Sequence, residues 1–445
     1  MRPILISIFL QIISSSNLIS GETLTFTECG AKLPIQSSGS SAVYDGFDTI
    51  YLIAGFGNGS DLTDVLKYSI YNDSIQVVSQ LPEGHYTGCG FRAADGSLIY
   101  AGGYMSDSVF VTANETGPWS FLSTLPGEYG YSGCIKHDPW SATILGGWST
   151  SGSIMELDLR TGSTQQITTD GLDNSCVLTN AVWNPETQNA TVFCSVASYV
   201  GGSVLSYHRP SGATSQILRY TKSFHNSAVG FDGVNAYVIG GWHSEGLPAW
   251  GNEILMFHTT THETRVVDVA GIPSWNGSIF DASTVTYVPY LNRLYLFGGR
   301  SDLFKNLDTI WYVDLDPVNP IEQPTHPDPE IFSCQDKSPG LYPHPTDCAM
   351  SIACRPDDDM FVARCASPFL YDPVFKSCNL PELVDCELTC QDRIDGAYPH
   401  PHDCSLYINC ANNEMSVIKC PPPTLFDPIL QVCNFPEFVD CAMSR

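Results

Sequence analysis

Twelve cysteines fill the last third of this chain in two copies of one spacing. The first copy is Cys334, Cys348, Cys354, Cys365, Cys378 and Cys386, and the second is Cys390, Cys404, Cys410, Cys420, Cys433 and Cys441. The intervening lengths are 13, 5, 10, 12 and 7 residues, then 13, 5, 9, 12 and 7. Each copy is roughly fifty residues long, too short to bury a self-sufficient apolar core, so covalent bridges must hold it. Six cysteines allow fifteen pairings, and spacing alone does not choose among them. Zinc is the rival use of such clusters, but close Cys-x-x-Cys pairs are absent.

The first three hundred residues repeat a different unit. An apolar, β-branched run ends in a small pair, usually Gly-Gly. Examples are Tyr51–Gly55, Leu98–Gly103, Thr143–Gly147, Tyr237–Gly241 and Leu294–Gly299, with a degenerate copy at Thr191–Ser195. A period of roughly 45 residues with several short strands per unit predicts propeller blades. The unit resembles the kelch repeat, whose later Tyr position is matched by Tyr68, Tyr207, Phe257 and Tyr312 and whose Trp position is matched by Trp119. The last unit stops after its third strand, so residues 23–33 are expected to supply the fourth and remove the open edge. The expected fold is all-β: a six-bladed kelch-like β-propeller followed by two small disulfide-rich β domains.

The cysteine modules carry Gly396-Ala397-Tyr398-Pro399, Cys404-Ser405-Leu406-Tyr407-Ile408-Asn409-Cys410 and Leu425-Phe426-Asp427. The first module has Gly340-Leu341-Tyr342-Pro343 and Leu370-Tyr371-Asp372 at matching places. This arrangement resembles the peritrophin-A, or type 2, chitin-binding domain. The resemblance implies first-to-third, second-to-sixth and fourth-to-fifth pairing. In the first module that joins Cys334 to Cys354, Cys348 to Cys386 and Cys365 to Cys378. In the second it joins Cys390 to Cys410, Cys404 to Cys441 and Cys420 to Cys433. It also implies chitin, or a related N-acetylglucosamine polymer, as ligand.

A neutral polysaccharide needs flat apolar faces and a few hydrogen-bonding groups, which aromatic residues with polar neighbours supply. The candidates are Tyr398, Tyr407, Phe426, Asp427 and Asn434 in the second module, with Tyr342, Tyr371, Asp372 and Asn379 in the first. Ser351 stands where the second module has Tyr407.

The N-terminus has Arg2 before an apolar run and small residues at Ser20 and Gly21, which reads as a signal peptide over residues 1–21. The other expected boundaries are a propeller at 22–315, a proline-rich linker at 316–332, and modules at 333–386 and 387–445. Five glycosylation sequons, at Asn58, Asn72, Asn114, Asn189 and Asn276, and 17 cysteines fit an oxidising, extracellular setting. No later run is long and apolar enough to span a membrane. The formal charge of -27 repels nucleic acid.

Loops after the glycine pairs share one face with the connections between units. They place Tyr104, Trp148, Trp242, His243, Trp250 and His225 together as a candidate ligand face for a protein or glycan, beside His85, Tyr86, Tyr129, Tyr131, Phe224 and Trp275. No metalloprotease, nucleophile-elbow or phosphate-loop motif is present. The sequence therefore reads as a secreted matrix adaptor on chitin, with no catalytic residue, cofactor or metal. The alternative is a carbohydrate-active propeller targeted to chitin by its modules.

Overall fold

The computed structural model describes residues 23–93, 95–138, 140–150, 152–167, 179–185, 187–195, 201–241, 253–272, 281–301 and 305–315. In the C-terminal region it describes 334–335, 337, 340–344, 348, 350–354, 360–364, 370–373, 376–379, 384, 396–399, 404–411, 414–421, 424–427, 430–436 and 439. Among these residues strands dominate, and helix is confined to short 3-10 turns such as Pro289–Leu291. No helix among the described residues is long and apolar enough to cross a membrane.

Among the described residues of the N-terminal region, six four-stranded antiparallel meanders follow one another. The first is Ser41–Tyr44, Thr49–Ile53, Ser60–Ser69 and Ser74–His85. The second is Cys89–Arg92, Leu98–Ala101, Ser108–Thr112 and Ser120–Thr124. The third is Gly133–Lys136, Ser141–Leu145, Ile154–Asp158 and Thr164–Ile167. The fourth is Thr179–Asn184, Asn189–Ser195, Gly202–His208 and Ala213–Tyr220. The fifth is Ala228–Phe231, Asn235–Ile239, Glu253–His258 and Thr264–Ala270.

The sixth combines both ends of this region. Thr284–Val288, Arg293–Phe297 and Leu307–Asp314 run in sequence. The fourth strand is the chain's first, Thr23–Ser38, with Phe26 opposite Val313 and Glu28 opposite Trp311. Its opening residues Thr23, Leu24 and Thr25 also pair parallel with Asp268, Val269 and Ala270 of the fifth meander.

The second strand of each unit is almost wholly buried, because sheets cover both of its faces. Thr49–Ile53 is buried throughout, and Leu98–Ala101 likewise. Such strands read as continuous apolar runs rather than alternating ones. Apolar clusters fill the space between successive meanders. Val43, Ile53 and Val65 meet Leu98, Tyr100 and Phe110. The last cluster joins the sixth meander to the first, through Tyr295, Phe297 and Ile310 against Ile50, Leu52 and Tyr68.

The glycine pair that ends most of these buried strands has a steric cause. Gly298 and Gly299 sit at φ 55° and 95°. A Cβ on Gly298 would lie 2.2 Å from the Ser37 carbonyl oxygen. In the first unit Ala54 takes the leading position, at φ 61°.

A second repeated device precedes the first strand of the units. Gly39, Thr87, Tyr131, Asn226 and Ala282 all adopt positive φ, between 52° and 63°. Their backbones link neighbouring meanders. The N–H of Gly39 donates to Ala282 O at 2.9 Å, Thr87 to Gly39 O at 2.7 Å and Tyr131 to Thr87 O at 3.0 Å. Thr179 donates to Tyr131 O at 3.0 Å and Ala282 to Asn226 O at 2.9 Å. The Asn180 side chain supplies the link between fourth and fifth meanders, donating to Ser227 O at 2.7 Å. A disulfide between Cys89 and Cys134 also joins the first strands of the second and third meanders.

Each C-terminal module has a three-stranded antiparallel sheet and a small hairpin. The sheets are Gly340–Pro343, Met350–Cys354 and Met360–Arg364, then Gly396–Pro399, Leu406–Ala411 and Glu414–Lys419. The hairpins pair Leu370–Asp372 with Ser377–Asn379, and Leu425–Asp427 with Val432–Asn434.

Candidate functional site

In the second module, Tyr407 and Phe426 stack with ring centroids 4.8 Å apart and planes 16° apart. Three features fix that contact. Tyr407 lies opposite Pro399 on one side and Ile418 on the other. The Phe426 N–H donates to the Cys404 carbonyl at 2.7 Å, and Cys404 is disulfide-bonded. Cys420 and Cys433 clamp the Phe426 hairpin to the end of the sheet. Phe426 is buried, whereas Tyr407 is half-buried. Phe426 therefore backs the Tyr407 ring instead of offering its own face to a ligand.

Asp427 is also buried. Its carboxylate accepts from the Leu430 N–H at 3.0 Å and from the Asn434 side-chain amide at 3.3 Å. The Asn434 side-chain oxygen accepts from the Phe435 N–H at 2.9 Å. This network shapes the hairpin tip, so Asp427 and Asn434 act there as turn formers. Tyr398 is half-buried opposite Ile408.

The structure adds exposed apolar groups that sequence reasoning passed over: Ile418, Leu430, Val432 and Phe435. Ile418 shares the face of Tyr407, because directly opposed residues on antiparallel strands point the same way. The register of Tyr407 with the following strand was the signal that would have found it.

The first module repeats the scaffold with a different face. Ser351 occupies the register position of Tyr407, opposite Pro343, and is buried. Tyr371 is buried against Leu341 and Ala353, with Phe47 of the N-terminal region packed on the same cluster. Asp372 is buried. Tyr342 is half-buried, with the Lys337 ammonium 5.2 Å from its ring centre. Asn379 lies opposite Leu370 in the hairpin. Burial thus assigns Tyr371 and Asp372 to the interior and leaves Tyr342 as the partly open aromatic of the candidates.

Cys334 is bonded to Cys354. Cys194, Cys348 and Cys410 are also disulfide-bonded. Cys176, Cys365, Cys386, Cys390 and Cys441 lie outside the described residues. Cys29 is a buried free thiol. Burial pushes its pKa up to about 11, so it stays protonated.

In the N-terminal region, Tyr104 and Trp148 are exposed and His225 is half-buried. Burial, then the nearby Arg300 charge, lowers the His225 pKa to about 4, so it is neutral at physiological pH. His85, Tyr129 and Phe224 are interior residues. Trp242, His243, Trp250 and Trp275 lie outside the described residues. Among the sequons, Asn58, Asn72 and Asn114 are exposed and Asn189 is half-buried at a strand start, while Asn276 is outside the described residues.

Residues 334–386 and 390–441 each match the family described as Chitin binding Peritrophin-A domain. Residues 334–441 therefore comprise two such domains. Over 137 residues the chain is 26% identical to Peritrophin-1 of Anopheles gambiae, covering 26% of this chain and 85% of that protein. Over 112 residues it is 27% identical to Chitin-binding domain protein cbd-1 of Caenorhabditis elegans, covering 24% of this chain and 8% of that protein. Over 45 residues it is 49% identical to an Endochitinase of Brugia malayi, covering 10% of this chain and 9% of that protein. The matched part thus spans under a tenth of the length of two of these relatives.

The last match corrects one expectation. The absence of catalytic motifs had implied that the chain is no enzyme, yet a relative bearing the enzyme name shares part of it. A small cystine-bridged binding unit can be joined to any catalytic or structural partner, so missing motifs do not carry that exclusion.

Proposed function

We propose that this chain is a secreted, extracellular chitin-binding protein whose two peritrophin-A domains hold a six-bladed, kelch-like propeller on the polymer. The observation that carries the chitin reading is the Tyr407 ring, half-open to solvent and backed by Phe426 inside a disulfide-clamped sheet. A preset aromatic face suits a neutral sugar ring, because little conformational freedom is lost on contact. Asp427 and Asn434 support that face from within. Tyr398 and Tyr342 are secondary contacts, and Ser351 makes the first module the weaker binder.

The propeller reading rests on the hydrogen bonds that run from each meander to the next and from the sixth back to the first. The shared cores support it too. In this reading the modules anchor the protein and the propeller presents a face to a further ligand in a chitinous matrix.

Retention on chitin beads tests the anchoring. A fragment of residues 330–445 is retained, and Tyr407→Ala in that fragment weakens retention more than Tyr342→Ala. Failure of the disulfide-intact fragment to bind ends the assignment. The similarity to the endochitinase favours a second reading, in which the propeller acts chemically on the polymer it is anchored to. Incubating the full chain with soluble chitin oligomers and looking for shortened products decides that point.

A further inference from the structure

Three tyrosines converge where the second and third meanders begin. Tyr86 and Tyr131 lie in the turns entering those meanders, and Tyr104 follows the Gly102-Gly103 pair. Their ring centroids are 5.3 Å apart for Tyr86 and Tyr104, 6.1 Å for Tyr86 and Tyr131, and 6.2 Å for Tyr104 and Tyr131. The last two contacts are edge-to-face.

Backbone bonds fix these side chains in place. The Tyr104 N–H donates to Tyr86 O at 3.0 Å and the Gly103 N–H to Tyr129 O at 3.2 Å. A Cβ on Gly130 would lie 2.7 Å from the Tyr104 Cα, so the loops pass closely only because that residue is glycine. The Trp148 N–H donates to Gly130 O at 2.9 Å, which sets a fourth ring on the adjoining loop.

Core packing does not account for the exposed members. Tyr129 and Phe224, which do pack the interior, are 1% and 0% exposed, whereas Tyr104 is 37% and Trp148 47% exposed. Near the tyrosines lies a charge-balanced pair. The Arg300 guanidinium meets the buried Asp281 carboxylate at 2.6 Å. Arg300 and Asp281 both act electrostatically on Tyr131. Burial raises the pKa of Tyr86 and Tyr131, so both phenols keep their protons, and their hydroxyls hydrogen-bond each other as one polar edge beside the rings.

Flat apolar rings, protonated phenols and balanced charge suit a ligand with apolar ring faces and hydroxyl edges. The net charge of -27 disfavours anions, and Asp281 is already paired against a cation. We propose that this face is a saccharide-binding site separate from the C-terminal modules. It takes a neutral oligosaccharide, with Tyr104 and Trp148 stacking on sugar rings and Tyr86 and Tyr131 hydrogen-bonding to hydroxyls. The proposal rests on the ligand-presenting reading of the N-terminal region.

Calorimetry on the full chain carrying Tyr407→Ala tests it, with chitotetraose, cellotetraose and the acidic tetragalacturonate as probes. At least one neutral tetrasaccharide binds and the acidic one does not. Tyr104→Ala and Trp148→Ala each weaken that binding by roughly tenfold, the scale of one lost aromatic contact, while Tyr104→Phe retains it. Absence of binding to both neutral probes overturns the proposal, as does unchanged affinity in the two alanine variants or preference for the acidic probe. Chitin-bead retention of the Tyr104→Ala, Trp148→Ala double variant with Tyr407 intact reads the modules separately. It is unaffected if only this proposal fails.

Discussion

The side chains that matter most at the residue scale are the ones whose burial changed their meaning. Phe426 and Tyr371 occupy equivalent places in the two modules, and both are interior. One backs Tyr407, while the other joins a cluster that includes Phe47. Phe426→Ala should therefore reduce chitin retention by loosening Tyr407, at a stability cost of about 3–5 kcal/mol typical of a buried aromatic. Urea unfolding beside bead retention separates the two effects.

Histidine gives a pH prediction at the same scale. Burial lowers the pKa of His137 to about 3 and of His225 to about 4. The Nε2 of His137 pairs with the Thr143 hydroxyl, which donates to Glu156 at 2.7 Å. Folded pKa values below the unfolded value mean that the unfolded chain takes up protons first as pH falls. Stability from these groups is complete above about pH 6.5 and declines down to about pH 3–4. Thermal melts at pH 7.5 and pH 4.5 should differ, and His137→Gln should narrow the gap. An equal gap in the variant would remove His137 as a cause.

The decisive element is the chain's first strand. Thr23–Ser38 completes the sixth meander and buries Phe26, Cys29 and Leu33. Deleting residues 22–34 should abolish cooperative unfolding of the N-terminal region, because it opens an edge and strips a shared core. An unchanged melting temperature would refute that role. The Cys89–Cys134 bridge spans 45 residues. Its removal by paired serine substitution should cost about 2–4 kcal/mol, read from denaturant midpoints.

Much of this was legible in sequence. The missing fourth strand of the last unit pointed to residues 23–33, and the cysteine spacing announced two copies of one module. In the second meander the apolar run read from sequence, Leu98–Gly103, contains the buried strand Leu98–Ala101. Other features left no local trace. Thr87, Tyr131 and Ala282 take positive φ although none is glycine, because backbone bonds to neighbouring meanders hold them there. The Phe47 contact with the Tyr371 cluster links residues more than three hundred positions apart, and no periodicity reports such a contact.

At the scale of the whole molecule, two modules on one chain make the second contact with a polymer intramolecular. Apparent affinity then exceeds that of either module even if the first is weak. The ligand is nearly uncharged while the protein carries -27, so attraction must come from stacking and hydrogen bonds and should change little with salt. Retention of the disulfide-intact full chain on chitin beads, at low and at high salt, tests this account most directly. The account predicts retention at both, reduced by Tyr407→Ala. A full chain that stays in the supernatant, or one released by salt alone, would contradict it.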